Sequence, residues 1–271
     1  MPPLRTVYGW ELRKLGAQKR TYLGLAAAAL VPVVFVVALA LQSGQPNDVA
    51  FGRYVRQSGL AILPVILIFG SIWLFPLITA LVAGDIVAAE DHNGTLKTIL
   101  TRSVGRGRIF TAKVLASFTY ALAALVVMGV TAVVGGILKS GLHPLTTLSG
   151  TTVGPGKALV LIAAGLVVYL WPLLAVAAIA LLLSTVTHNS AAAVVGALMI
   201  SLLLQLITII PGLGGLQPYL LPTQFNAWQG LLRTPADFAP ILRASWVSAA
   251  YAIPCLVAAY LSFLRRDVAG G

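Results

Sequence analysis

VLASFTYALAALVVMGVTAVVGGIL, residues 114–138, is a run of 25 residues without one Asp, Glu, Lys, Arg or His, closed by Lys113 on one side and Lys139 on the other. As a helix rising 1.5 Å per residue it would extend about 37 Å, more than the ~30 Å of a bilayer's hydrocarbon core. Five further runs of the same kind occupy 22–41, 59–82, 158–183, 191–210 and 246–264. None is shorter than 19 residues, so each is long enough to span. Backbone polar groups in hydrocarbon must be satisfied within the segment, which predicts an all-α integral membrane protein with six transmembrane helices.

The composition agrees. Of 271 residues, 59% are hydrophobic and 9% charged, with a mean hydropathy of +0.95. Soluble domains carry about 25% charged residues, so a water-soluble enzyme, a disordered chain and a disulfide scaffold are all excluded. The lone Cys255 has no partner for an intramolecular disulfide. No internal repeat or compositional break divides the chain, which reads as one transmembrane domain over 1–271. The net charge of +11 fits loops held against anionic lipid rather than nucleic acid.

Basic residues set the orientation. Arg5, Arg13, Lys14, Lys19, Arg20, Lys97, Arg102, Arg106, Arg108, Lys113, Arg265 and Arg266 fall on the side of both termini and of the loop between spans two and three. Arg53, Arg56, Lys139, Lys157, Arg233 and Arg243 fall on the other. This two-to-one bias predicts a plasma-membrane protein with both termini in the cytoplasm. Residues 1–21 alternate aromatic and basic side chains and suit a helix lying in the cytoplasmic interface. A cleavable signal peptide is the competing reading, but the segment is long, contains Glu11, and leads into a run of spanning length.

Chemistry is sparse. The six runs hold no ionisable side chain and one amide, Gln205, which disfavours proton-coupled transport. His92, His143 and His188 lie in separate loops and do not assemble a metal site. Residues 150–157, GTTVGPGK, miss the phosphate-loop spacing by one residue and have Ala158 where Ser or Thr is needed. The loop before the last span opens with Pro211, Gly212, Gly214, Gly215 and Pro218, then runs Leu220, Leu221, Pro222, Phe225, Trp228, Leu231 and Leu232. A loop this apolar is expected to re-enter the membrane before span six.

One cytoplasmic stretch rises above composition: AGDIVAAEDHNGTLKTILTR, residues 83–102. Its spacing predicts that span two continues as a helix beyond the membrane to Asn93-Gly94, a C-cap pair. Thr95 then caps a short helix whose Leu96, Ile99 and Leu100 share one face.

Gly84-Asp85, Ala88, Glu90, Gly94-Thr95-Leu96, Leu100 and Arg102 resemble the cytoplasmic motif of ABC-2-type transporter permeases. The likeness extends to layout: six spans, an N-terminal interfacial helix, a coupling helix between spans two and three, and a re-entrant segment before span six. Ser103-Val104-Gly105-Arg106 departs from it, lacking the Pro many members carry there. The resemblance implies that Glu90, Gly94, Thr95, Leu96, Ile99, Leu100 and Arg102 couple the chain to a separate ATP-binding cassette subunit, present in two copies. It implies that His188 faces the same partner, that ATP and Mg belong to that subunit, and that a second permease chain, expected as a homodimer, completes the route. This chain itself would hold no cofactor and catalyse nothing. Trp73, Thr79, Ser201, Gln205 and Thr208 are the polar and aromatic candidates for a substrate pathway, and an uncharged lining favours lipophilic or amphiphilic cargo. The alternative is an ATP-independent channel, carrier or membrane assembly scaffold.

Overall fold

The computed structural model describes residues 2–41, 50–94 and 104–265. Within them α1 covers Leu4–Gly16 and α2 Lys19–Leu41. Next come α3 (Ile62–Gly70), α4 (Leu74–Ala83) and α5 (Ala88–His92). The long helices α6 (Arg106–Ser140) and α7 (Pro155–Thr187) follow, joined by a two-stranded antiparallel hairpin, β1 (Leu145–Thr146) and β2 (Thr152–Val153). The chain continues through α8 (Ser190–Ile207), α9 (Leu221–Gln224) and α10 (Ala239–Leu264).

By length and apolar composition, α2, α6, α7, α8 and α10 can each cross a membrane, and the bent pair 59–70 and 74–92 supplies a sixth crossing if counted as one span. The molecule is an all-α, multi-pass membrane protein. Helices α6, α7 and α10 are longer than the uncharged runs that predict them. They take in Arg106 and Arg108, Lys157, and Arg243 near their ends, because long basic side chains can leave the helix ends for the interface without interrupting backbone hydrogen bonding.

Span two departs from expectation. The run 59–82 predicts one continuous helix, yet α3 and α4 meet at 65°. Helix continuation would bring the Pro76 ring against the carbonyl four residues earlier, and Pro76 has no N–H to bond it. Gly70 makes the fold-back feasible: a Cβ there would lie 2.7 Å from the Phe75 ring. At the break the Ser71 hydroxyl donates to Ile68 O at 2.7 Å, and Tyr169 donates at 3.1 Å to Leu67 O, which also accepts from Ser71 N. The expected helical extension from span two to Asn93 is also interrupted. Residues 84–87 form a turn, and only α5 is helical beyond it.

Helix α7 is the most enclosed of the long helices, packed by α4, α6, α8 and α10. Its Tyr169 is fully buried between Phe75 and Phe225 in edge-to-face contacts at 5.3 and 5.0 Å. The apolar stretch before the last span is helical in pieces, a 3-10 turn at Gln217–Tyr219, α9, and a 3-10 turn at Ala227–Leu232. These bury Leu221, Phe225, Trp228 and Leu232. At the same end the backbones of Gly59 and Gly136 touch, leaving no room for a Cβ on either. Beside them Gly59 N donates to Gly141 O at 3.1 Å and Ser58 to His143 O at 2.8 Å.

Candidate functional site

The opposite end gathers the first turns of α2 and α6, the last turn of α7, the start of α8, and α1. Four of the chain's seven carboxylates, Glu11, Asp85, Glu90 and Asp91, lie here, and each meets a basic side chain. At the centre is Lys113, fully buried in the first half of α6. Its ammonium donates to Glu90 Oε2 at 2.6 Å, Glu11 Oε2 at 3.1 Å and Ile86 O at 3.0 Å. A lysine ammonium has three donors and no acceptor, so this environment satisfies it completely. Lys14, one turn beyond Glu11 on α1, donates to the other oxygens of the same carboxylates, at 2.6 Å to Glu11 and 2.7 Å to Glu90.

Two lysines and two glutamates therefore form a closed, electrically neutral ring joining α1, α5 and α6. Burial alone would lower the Lys14 pKa, but hydrogen bonding and attraction to Glu11 and Glu90 outweigh it and hold the ammonium above its ordinary range. Burial works against the Glu90 carboxylate too. Lys113 and Lys14 prevail and keep it below its ordinary value.

The segment 84–93 is tied down on every side. Asp85, buried after α4, pairs with Arg20 in the first turn of α2. Ser184 of α7 accepts from Val87 N at 3.3 Å and Ala88 N at 3.0 Å, capping two of the donors that a helix start leaves open. Asp91 pairs with His188 at 2.5 Å in the turn between α7 and α8, where His188 adopts a left-handed conformation with φ 56°. The segment closes on Gly94 at φ 67°, in the position of a helix-terminating glycine.

Of the coupling residues read from sequence, Glu90 lies inside the ring and Gly94 ends the segment. Thr95, Leu96, Ile99, Leu100 and Arg102 lie outside the described residues. His188 meets Asp91 of its own chain. Lys113, Lys14, Glu11 and Arg20 escaped the sequence reading as site residues, and Asp85 entered it only within the quoted motif. The available signal was scarcity: a chain with seven acids that spends four of them on one end has a use for them there.

The pathway candidates separate into two groups. Trp73 is 63% exposed at the break and lines an apolar cavity of about 510 Å³ with Val31, Phe35, Phe69 and Leu77. Thr79 is buried within the bundle. Ser201 and Thr208 of the α8 region turn their hydroxyls onto their own backbone, at Ala197 O and Gln205 O, and Gln205 is half-buried one turn away. The α8 group does not line the cavity that holds Trp73.

The model of a family described as "Protein of unknown function (DUF2705)" matches residues 28–269, and the chain belongs to that family. No curated protein matches the chain.

Proposed function

We propose that this family member is the permease subunit of an ATP-driven exporter, with both termini cytoplasmic in the plasma membrane. It works with two copies of an ATP-binding cassette subunit, which hold ATP and Mg, and with a second permease chain as a homodimer. The observation that carries the reading is the neutral ring of Glu11, Lys14, Glu90 and Lys113. It fastens the segment entering residues 95–103 to α1 and α6, so a push on the 94–102 coupling helix from an ATPase is delivered to three helices together. A free surface loop would absorb the same push by bending.

Movement of those helices changes the bend between α3 and α4, where the apolar cavity beside Trp73 opens. An apolar cavity with one amphipathic indole at its rim suits lipophilic or amphiphilic cargo: drugs, lipids or hydrophobic peptides. The helical pieces at 217–232, buried at Leu221, Phe225, Trp228 and Leu232, take the role of the re-entrant segment on the outer side. Binding of ATP by the partner shifts the pair of permeases between inward- and outward-open states through differential contacts with the coupling helices.

The test is isolation of the tagged chain from native membranes in mild detergent, with mass spectrometry and an ATPase assay on the eluate. A stoichiometric P-loop ATPase with vanadate-sensitive turnover is the expected result. A chain recovered alone, with no ATP turnover, would overturn the proposal in favour of an ATP-independent channel, carrier or assembly scaffold.

A further inference from the structure

We propose that the end of the molecule remote from the ion-pair ring carries a binding site for a phosphate group, formed by Arg233 and Arg243 with Thr223, Asn226 and Gln229. These five residues supply the polar and charged side chains lining a cavity of about 270 Å³ between the short helical pieces and the start of α10.

The sequence builds the site through a period of three. Residues 221–232 bury Leu221, Phe225, Trp228 and Leu232 against the bundle, and Thr223, Asn226 and Gln229 recur every third residue on the side left over. Gln229 donates to Asn226 Oδ1 at 3.1 Å, which leaves the Asn226 amide nitrogen as a donor for another group. The backbone below is held in place. Asp237 N donates to Gly230 O at 3.0 Å, and the Asp237 carbonyl lies where a Cβ on residue 230 would fall.

Charge then selects the ligand. Among the described residues the carboxylate near the cavity is Asp237, which accepts from Ala239 N at 3.1 Å at the start of α10 and stands 3.9 Å from Arg233, beyond hydrogen-bond length. Arg243 has no ion pair or hydrogen bond among the described residues. Among the described residues the site retains one uncompensated positive charge, two guanidinium forks and hydroxyl and amide donors, a set that matches the several oxygens of an oxyanion. Depth distinguishes phosphate from carboxylate. Phe238 and Trp246, which flank the cavity-lining Pro240 and Arg243 along the chain, are exposed, as is Tyr219, in ring contact with Trp246 at 5.7 Å. Exposed aromatics of this kind mark the membrane–water interface, the level at which lipid phosphates lie.

The phosphate can belong to a phospholipid headgroup or to a soluble phosphate, and the experiment separates the two. Full-length protein in neutral detergent is titrated with phosphatidylglycerol and followed by native mass spectrometry. In parallel, its melting temperature is followed against inorganic phosphate. Wild type is compared with R233Q/R243Q and with K139Q, a charge removed at the same end but outside the cavity. Lipid affinity is expected to fall about tenfold in the double variant and to stay unchanged in K139Q. Wild-type binding of lipid alone assigns a headgroup; stabilisation by phosphate, lost in the double variant, assigns a soluble phosphate. Equal binding of both probes by wild type and R233Q/R243Q overturns the site, as does an equal loss in K139Q. Should the double variant not fold, T223V/N226A keeps both charges and is expected to weaken binding about threefold, with unchanged binding again overturning the proposal. None of these readouts involves an ATPase or transport, so the site stands or falls independently of the exporter reading.

Discussion

The Lys113 ammonium lies 2.6 Å from the Glu90 carboxylate, with no part of the lysine side chain open to solvent. Two buried opposite charges are tolerated only because each has further partners: Glu11 and the Ile86 carbonyl for the lysine, Lys14 for the glutamate.

Removing one member should therefore cost more than the pair is worth. Lys113→Met is expected to destabilise the protein by about 3–5 kcal/mol, since it leaves the Glu11 and Glu90 carboxylates sharing the single ammonium of Lys14. Adding Glu90→Gln to that variant should restore part of the loss. Chemical unfolding in detergent micelles measures both, and a single variant as stable as wild type would contradict the burial of the ring.

The exposed pair should behave differently. His188→Ala breaks the contact with Asp91, but the histidine is 58% exposed, so the expected cost is about 1 kcal/mol or less. A loss as large as that of Lys113→Met in the same unfolding assay would show that the turn between α7 and α8 is structurally dominant.

Stability should be level across a wide pH range and fall at both ends. Glu90 is held below its ordinary value of 4.5, so its contribution is present above that pH and fades as acid protonates the folded carboxylate. Lys14 is held above its ordinary 10.5, so its contribution is present below that pH and fades as alkali removes the proton. A melting temperature flat from about pH 5 to about pH 10 is expected. In Glu90→Gln the acid limb should become shallower.

Gly59→Ala should be poorly tolerated although alanine is small. Its Cβ would lie 2.2 Å from the Gly136 carbonyl oxygen, and backbone cannot rotate aside as a side chain does. A loss of about 1–3 kcal/mol is expected, measurable as a lowered melting temperature. Gly9→Ala, where nothing lies near the added methyl, is the control.

If the exporter proposal holds, Leu96→Asp with Leu100→Asp should abolish partner-dependent transport while the chain still inserts. Both positions lie outside the spanning helices and belong to the apolar face read from sequence. Export of a lipophilic dye from vesicles, beside protease protection of the loops, distinguishes lost coupling from lost insertion.

The long helices were legible because absence of charge is a property of each run by itself; the apolar stretch 220–232, read as re-entering the membrane, buries Leu221, Phe225, Trp228 and Leu232 in the structure. The ring was not legible. Lys113 sits one residue outside the uncharged run and looks like a flanking cation. Its partner Glu11 is 102 residues away, and Lys14 is 76 residues from Glu90. Local spacing offers only Glu11 to Lys14. The break in span two was hidden for another reason. An all-apolar run has no periodicity to lose, and proline is an ambiguous sign here, since Pro32, Pro172 and Pro254 lie inside α2, α7 and α10 without ending them. At 70–76 the proline acts together with a glycine that lets Phe75 fold back.

Span two is gripped at both extremities, by the glycine contact and serine bond at Gly59 and by the ion pairs at Asp85 and Glu90. A rod held at both tips cannot slide; between Gly59 and the Asp85 pair its joint is the bend between Gly70 and Leu74. The apolar cavity is at that joint, lined by residues from both arms. Under the exporter proposal, displacement applied at either grip is converted into a change in the cavity's shape, with a stroke fixed by the angle the joint can open.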